Sequence, residues 1–117
     1  MGRAMGLALF LMMLPGAASA GANGERLFNL QCKGCHSGTA GDAGPPLRGL
    51  FGAKIASQPG FSYSEGLRAR AGVWDAASLE AFLTSPTAFA PGVAMSGPTL
   101  ATAQDRAAVI AYLKTLR

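Results

Sequence analysis

The stretch Cys32-Lys33-Gly34-Cys35-His36 constrains this chain more strongly than any other part of its sequence. It contains both cysteines and the single histidine of the 117 residues. Cys-x-x-Cys places two thiols about one helical turn apart, a spacing that several kinds of site share. The rest of the sequence therefore has to decide among them.

A structural zinc site could use the two cysteines, but such a site usually needs four Cys or His ligands, and the chain has three. A thiol pair for disulfide exchange normally accompanies a strand-and-helix pattern, which we do not find. A structural disulfide across so short a loop would constrain the unfolded chain very little. These three alternatives are weaker than a fourth, covalent attachment of haem.

In Cys-x-x-Cys-His the two thiols can add to the two vinyl groups of a porphyrin, while the adjacent imidazole is held against the iron. The sequence thus predicts one haem c bound through Cys32 and Cys35, with His36 as an axial ligand. A six-coordinate iron needs a second axial ligand, and no other histidine is present. A methionine thioether is the alternative.

Residues 1–20 have the pattern of a secretory signal peptide. Arg3 provides the cationic start, residues 7–14 form an apolar run, and Ala18-Ser19-Ala20 matches an Ala-x-Ala cleavage site. The apolar run is well short of the ~20 residues that cross a bilayer, which argues against the alternative of a membrane anchor. We expect cleavage after Ala20, export to the periplasm, and a single mature domain, residues 21–117, without a membrane span.

The predicted cleavage singles out Met95 as the second axial ligand. The four other methionines all lie within residues 1–20, so Met95 would be the one thioether of the mature chain. The ordinary alternative is a methionine that fills a gap in the core. Cleavage also removes one of ten basic residues and none of six acidic ones, leaving a net charge of +3. So small and scattered a charge does not indicate nucleic-acid binding.

The pattern along the mature chain predicts an all-α fold of three or more short helices joined by long loops. No stretch has convincing strand alternation. Loops of this length are uncommon in a compact domain unless something organises them, and a bound haem would do so. The expected helices begin at Asn23, run over residues 65–71 behind a Ser64 cap, run from an Asp75 cap to about Ser85, and run from about Thr102 to the end of the chain.

Taken together, these residues resemble class I c-type cytochromes, the monohaem cytochromes c, and are most similar to the mitochondrial and bacterial type-two branch. The resemblance covers nearly all of residues 21–117. It implies a small cytochrome c fold wrapped around one covalent haem, and an electron carrier rather than an enzyme. The blocks that carry it are CKGCH at 32–36, GPPL at 44–47, LFG at 50–52, PGFSY at 59–63, Trp74, PGVAM at 91–95 and IAYL at 110–113.

The resemblance also implies roles for other residues. The carbonyl of Pro45 would accept a hydrogen bond from the His36 ring and fix its orientation. Tyr63 and Trp74 would donate to the haem propionates. The first and last helices would cross through Gly24, Phe28, Tyr112 and Leu113.

Four positions depart from the family pattern, because apolar residues stand where many relatives carry polar ones. Phe82 replaces a tyrosine whose hydroxyl reaches the methionine sulfur, and Val93 replaces a threonine near a propionate. Ala53 replaces an arginine, and Leu67 an asparagine. We expect the reduction potential and the strength of the Met95–iron bond to differ from those of familiar relatives.

The expected function is transfer of one electron between transient redox partners, such as a membrane donor complex and a terminal oxidase, reductase or dehydrogenase, by a monomer. One alternative is a dedicated haem subunit of a periplasmic dehydrogenase. Another is a peroxidase or gas-binding protein with a labile Met95 ligand. Five cations either rim the exposed haem edge or form ordinary solvated surface: Lys33, Arg48, Lys54, Arg68 and Arg70.

Overall fold

The structure is a computed structural model that describes residues 2, 6, 17–39, 41–98 and 100–117, with side chains in the first helix described from Ala22 onward. Most of the predicted signal peptide, residues 1–20, lies outside the described residues, so its cleavage stays a prediction. The described chain forms five helices: α1 (Ala17–Gln31), α2 (Glu65–Arg68), α3 (Ala76–Thr84), α4 (Pro86–Phe89) and α5 (Ala103–Thr115).

The predicted all-α class is confirmed for the described residues. Their one extended pairing is an isolated antiparallel bridge between Lys54 and Val73. None of the described helices combines the length and the apolar character that crossing a membrane requires. Long loops separate α1 from α2 and α4 from α5, as the sequence predicts.

The first helix begins at Ala17, so the prediction of a start at Asn23 is wrong. Small residues with good or tolerable helix propensity precede Asn23 and let the helix extend backwards. Asn23 does not act as a cap, because its side-chain oxygen accepts a hydrogen bond from the Arg26 guanidinium at 2.8 Å.

The first helix also ends before both cysteines. It stops at Gln31, and the next residues form a turn in which the Cys32 carbonyl accepts from the backbone N–H of Cys35 at 3.1 Å and of His36 at 3.0 Å. Cys32 is buried, whereas Cys35 is exposed. The two sulfurs therefore do not lie on one face of α1, because the helix ends before Cys32 and a turn carries both cysteines.

Local capping chemistry sets the starts of the later helices. Asp75 and Ser78 form a reciprocal capping box at α3, with both hydrogen bonds at 2.9 Å. Thr102 caps α5 by accepting from the Asp105 N–H at 3.1 Å. Ser64 caps α2, which ends at Arg68 rather than near residue 71. These three predicted starts are confirmed.

The fourth helix was not expected, because Pro86 reads as the end of the preceding helix. Ser85 closes α3 by donating its N–H to the Ala81 carbonyl at 3.3 Å. Its side chain then accepts from the Ala88 N–H at 3.3 Å and starts α4, with Pro86 at the first turn. Proline is favourable there because that position needs no intrahelical N–H.

The terminal helices α1 and α5 pack directly against each other, as the resemblance implies. Gly24 lies against the Ala108 backbone, and the rings of Phe28 and Tyr112 are 5.1 Å apart. Leu113 is buried at 3% exposure beside this contact. The buried apolar residues of these helices and of the loops form one cluster, which includes Leu50, Ile55, Leu67, Trp74, Leu79, Phe82, Leu83, Phe89, Leu100, Val109 and Ile110.

Candidate functional site

A cavity of about 330 Å³ opens among the helices, and all four predicted site residues line it. Cys32, Cys35 and His36 come from the turn after α1, and Met95 comes from the loop between α4 and α5. Most of the other wall is apolar, with contributions from Leu47, Leu50, Leu67, Trp74, Leu79, Phe82, Leu83, Val93, Val109 and Leu113. The fold thus brings together residues that are 63 positions apart in the chain, from Cys32 to Met95.

The His36 ring is held in one orientation. Its Nδ1 lies 2.7 Å from the Pro45 carbonyl oxygen. A carbonyl can only accept, so Nδ1 carries the proton and Nε2 keeps a free lone pair. This is the hydrogen bond that the resemblance implies, and it is the usual way in which proteins fix the tautomer of a ligating histidine.

Gly44 supports the same ring from the side. A Cβ at this position would lie 2.6 Å from Nδ1 of His36, so no larger residue fits without moving the imidazole. The Gly44 N–H donates to the Cys35 carbonyl at 3.0 Å, which ties the segment to the cysteine turn. This role of Gly44 could not be predicted, because no local pattern in the sequence indicates that the His36 ring packs against it.

The two cysteines differ in environment. Burial raises the pKa of the Cys32 thiol to about 11, so it is a neutral thiol at neutral pH. Thiol exchange and zinc binding both require the thiolate. The described residues hold no cluster of three or more His, Cys, Asp or Glu side chains that could bind a metal ion on their own. The neutral state of the Cys32 thiol weighs against the zinc and disulfide-exchange alternatives.

A tight turn begins the loop that carries Met95. The Val93 N–H donates to the Ala90 carbonyl at 3.1 Å, with Pro91 and Gly92 between them. Gly92 has a φ of +83°, so Pro91-Gly92 matches the central positions of a type II turn. Gly66 in α2 packs so closely on the Pro91 carbonyl that a Cβ there would overlap it. This contact fixes where the Met95 loop starts.

An arginine that no sequence motif indicates holds the far end of that loop. Arg106 in α5 donates through one guanidinium nitrogen to the Leu100 carbonyl at 3.0 Å. Its Nε forms an ion pair with Glu80 of α3 at 2.7 Å. Arg106 therefore connects the Met95 loop to two helices. A lone Arg in a helix carries no sequence signal for such a role.

Aromatic rings form one wall of the cavity. Trp74 is buried and packs against Phe82, with ring centroids 5.3 Å apart, and against Phe89 at 5.6 Å. Tyr63 is half-buried, and its hydroxyl accepts from the Gln58 N–H at 3.2 Å. Both Trp74 and Tyr63 line the cavity, so each is placed to meet a bound group, while their donation to propionates stays a prediction.

Three of the four departures from the family pattern reach the cavity. Phe82, Leu67 and Val93 line it, whereas Ala53 does not. The cavity wall is therefore more apolar than it would be with tyrosine, asparagine and threonine at positions 82, 67 and 93. An apolar surrounding disfavours the more highly charged state of a bound redox group, since desolvation penalises charge.

None of the five cations considered as rim residues lines this cavity. Lys33 and Arg48 line a second cavity of about 200 Å³, which also touches His36. Arg48 donates to the Arg117 carbonyl oxygen at 2.7 Å, and the Arg70 guanidinium lies 3.9 Å from the centre of the Phe89 ring. The structure therefore favours ordinary surface or structural roles for these side chains.

The residues present fit a covalently attached haem. The cavity is largely apolar, two thiols line it beside an imidazole with a fixed tautomer, and a thioether comes from a separate loop. Gly44 and Gly66 give the close packing that keeps the imidazole and the loop in place. This combination in a small all-α fold defines a class I c-type cytochrome.

The comparisons with known proteins agree. The family model described as cytochrome c matches residues 21–117, and the chain belongs to the cytochrome c family. Family membership implies covalent haem c, for which Cys32 and Cys35 have the required spacing, and it identifies the chain as a monohaem electron-transfer protein.

Individual relatives give the same result. The chain is 45% identical to "Cytochrome c-type cyt cy" of Rhodobacter capsulatus over 80% of its own length, but it spans 47% of that protein. It is 39% identical to cytochrome c of Sesamum indicum, covering 79% of this chain and 86% of the relative. In structure it is similar to cytochrome cH from Methylobacterium extorquens, with a TM-score of 0.74, 35% identity, and 81% of this chain and 97% of that chain covered.

Proposed function

We propose that the protein is a periplasmic electron carrier whose one haem c is attached through Cys32 and Cys35 and ligated by His36 and Met95. The observation that carries the proposal is the convergence of these four side chains on one apolar cavity, with His36 Nδ1 already bonded to the Pro45 carbonyl. Bound haem c supplies reversible one-electron chemistry between Fe(II) and Fe(III).

The protein residues have separate tasks in this proposal. Cys32 and Cys35 fix the position of the group through thioether bonds. The Pro45 carbonyl keeps the lone pair of His36 Nε2 available and increases the basicity of the ring. The apolar walls around Trp74 exclude water from the site. His36 and Met95 would both hold the iron, so no coordination site would remain for a substrate, which favours electron transfer over catalysis.

Localisation and partners belong to the same proposal. The signal-peptide pattern of residues 1–20 supports export and cleavage after Ala20, and the family match to residues 21–117 is consistent with that boundary. The partners would be redox proteins that the carrier meets transiently, such as a membrane donor and a terminal oxidase, reductase or dehydrogenase. Mass spectrometry of the periplasmic protein should give a chain that starts at Gly21 and carries one haem.

The ligand assignment is tested by the visible spectrum of the exported protein. The oxidised protein should show a weak far-red band from the sulfur–iron bond, and Met95→Ala should abolish it. Val93→Ala, two residues away in the same loop, is the matched control and should keep the band. Persistence of the band in Met95→Ala would show that the ligand is not Met95. Carbon monoxide binding by the reduced wild-type protein at neutral pH would instead favour a peroxidase or gas-binding role.

A further inference from the structure

The described residues where the cavity opens to solvent carry no charged side chain. Among the described residues that line the cavity, none is Lys, Arg, Asp or Glu. Seven of the described lining residues are exposed. One is Cys35, a predicted haem attachment site, and the other six define what we call the neutral mouth: Gln31, Ala43, Ser62, Ala94, Ser96 and Gly97.

Four of the described cations contact other side chains or line the other cavity. Arg106 pairs with Glu80, and Lys114 lies 5.6 Å from the centre of the Phe51 ring. Lys33 and Arg48 line the second cavity rather than the mouth. The mature chain is basic by composition, with nine basic and six acidic residues once Arg3 is removed, while the described residues that line its cavity include no Lys, Arg, Asp or Glu.

From this charge distribution we propose that the neutral mouth is the docking surface for a redox protein whose own contact surface is uncharged and partly apolar. This proposal rests on the electron-carrier function and adds the chemistry of the partner. A charged partner surface would lose water on docking and find no opposite charge at the mouth, a cost that nothing there repays.

The side chains of the mouth suit such a contact. Ala94, Ser96 and Gly97 are small, so a partner surface can approach the cavity closely. Contacts between redox proteins are usually small, below about 1,200 Å² in total, and a few apolar side chains can supply most of the attraction. Half-buried Val93 and Met95 lie in the same loop and line the same cavity.

The proposal predicts a weak dependence of docking on salt. Association steered by local charges slows steeply as salt rises, because the Debye length falls to about 10 Å at 0.1 M. Association through the neutral mouth retains only the long-range effect of the small net charge. Electron exchange with an uncharged surface should therefore be at least as fast as with an acidic one.

The test uses the haem-loaded mature protein on two gold electrodes coated with alkanethiols of equal length, one ending in hydroxyl groups and the other in carboxylates. Interfacial electron-transfer rates are measured by voltammetry at low and high salt. We expect the hydroxyl surface to be at least as fast, with less than about a twofold change between ~10 and ~200 mM salt. A carboxylate surface that is faster, and loses this advantage in salt, overturns the proposal.

Two variants with the same added charge locate the docking surface. Ser96→Lys adds it at the mouth, and Ala111→Lys adds it on an exposed position of α5 that lines neither cavity. We expect Ser96→Lys to speed exchange on the carboxylate surface several-fold in a salt-sensitive manner, and Ala111→Lys to behave like wild type. Equal effects of the two variants, or none from Ser96→Lys, would refute docking through the mouth.

The electron-carrier function is read separately in the same samples. A reversible one-electron wave in solution, together with the far-red band, supports that function whatever the surfaces show. Loss of the wave contradicts the proposed function, whereas a wrong ranking of the two surfaces contradicts the uncharged partner alone. An unchanged visible spectrum in each variant shows that the haem site is intact.

Discussion

Gly24 of α1 faces the carbonyl of Ala108 in α5 so closely that a Cβ on Gly24 would lie 2.7 Å from the carbonyl carbon. The same Cβ would lie 3.1 Å from Cβ of Tyr112. The obstacle is mostly backbone, which cannot rotate away as a side chain can. The two terminal helices therefore reach their observed separation because position 24 has no side chain.

Gly24→Ala should destabilise the folded protein. Alanine favours a helix over glycine by up to about 1 kcal/mol, but overpacking against backbone typically costs ~1–3 kcal/mol and should outweigh that gain. Guanidinium denaturation of the haem-loaded protein measures the change. Gly34→Ala is the control, since its Cβ would meet no atom within 4 Å. Equal stability of the two variants would contradict the close packing of α1 on α5.

Gly44→Ala should disturb the His36 ring. The new Cβ would lie 2.6 Å from Nδ1, so the ring must tilt and its hydrogen bond to the Pro45 carbonyl must lengthen. Loss of such a partner commonly weakens a metal site by about 10–100-fold. We expect a lower yield of haem-loaded protein and a shifted midpoint potential, measured by titration at fixed pH. Gly34→Ala, close to the same histidine in sequence, should leave both unchanged.

Arg106→Ala should loosen the loop that carries Met95, because it removes the donor to the Leu100 carbonyl and the partner of Glu80 at once. Loss of a partly buried hydrogen-bonded charge costs about 1–3 kcal/mol. The far-red band should disappear at a lower pH or temperature than in wild type. Glu80→Gln removes the ion pair but keeps the contact to the loop, so it should cost less than ~1 kcal/mol and leave the band stable. Equal loss of the band in both variants would argue against the loop contact.

The cap of α3 should make stability depend on pH in the acid range. Hydrogen bonds from the Ser78 backbone and side chain lower the pKa of Asp75 in the folded protein. A lowered pKa means that the carboxylate stabilises the fold above its unfolded pKa of about 3.9, and that this contribution is lost as pH falls through the folded value. The difference in melting temperature between wild type and Asp75→Ala should thus shrink below about pH 4.

Thr102→Ala provides the comparison for this prediction. It removes the cap of α5, in which a neutral hydroxyl accepts from the Asp105 N–H, and should cost about 1 kcal/mol. Because the hydroxyl does not titrate in this range, its effect on the melting temperature should stay constant with pH. A parallel pH dependence for both variants would show that the Asp75 carboxylate is not responsible.

Local chemistry explains which predictions from the sequence are confirmed. Asp75 with Ser78, and Thr102 with Asp105, are three residues apart, so neighbouring atoms fix those helix starts. The predicted start of α1 at Asn23 is wrong for a reason that lies outside that residue. Asn23 is a good cap by itself, but the residues before it also accept a helix, and the cap is not used. The capping preference of Asn23 is overridden because the residues before it also form helix.

The residue pattern alone indicates the chemical groups of the candidate site, a pair of cysteines beside the single histidine and one methionine beyond residue 20, and it indicates the family. How those groups are held follows from the fold. Close packing of Gly24 on Ala108 and of Gly44 on His36 depends on where distant backbone segments meet, and so does the placing of every described cation away from the cavity lining. Contacts between residues far apart in the chain form only when the whole core assembles, so no local pattern records them.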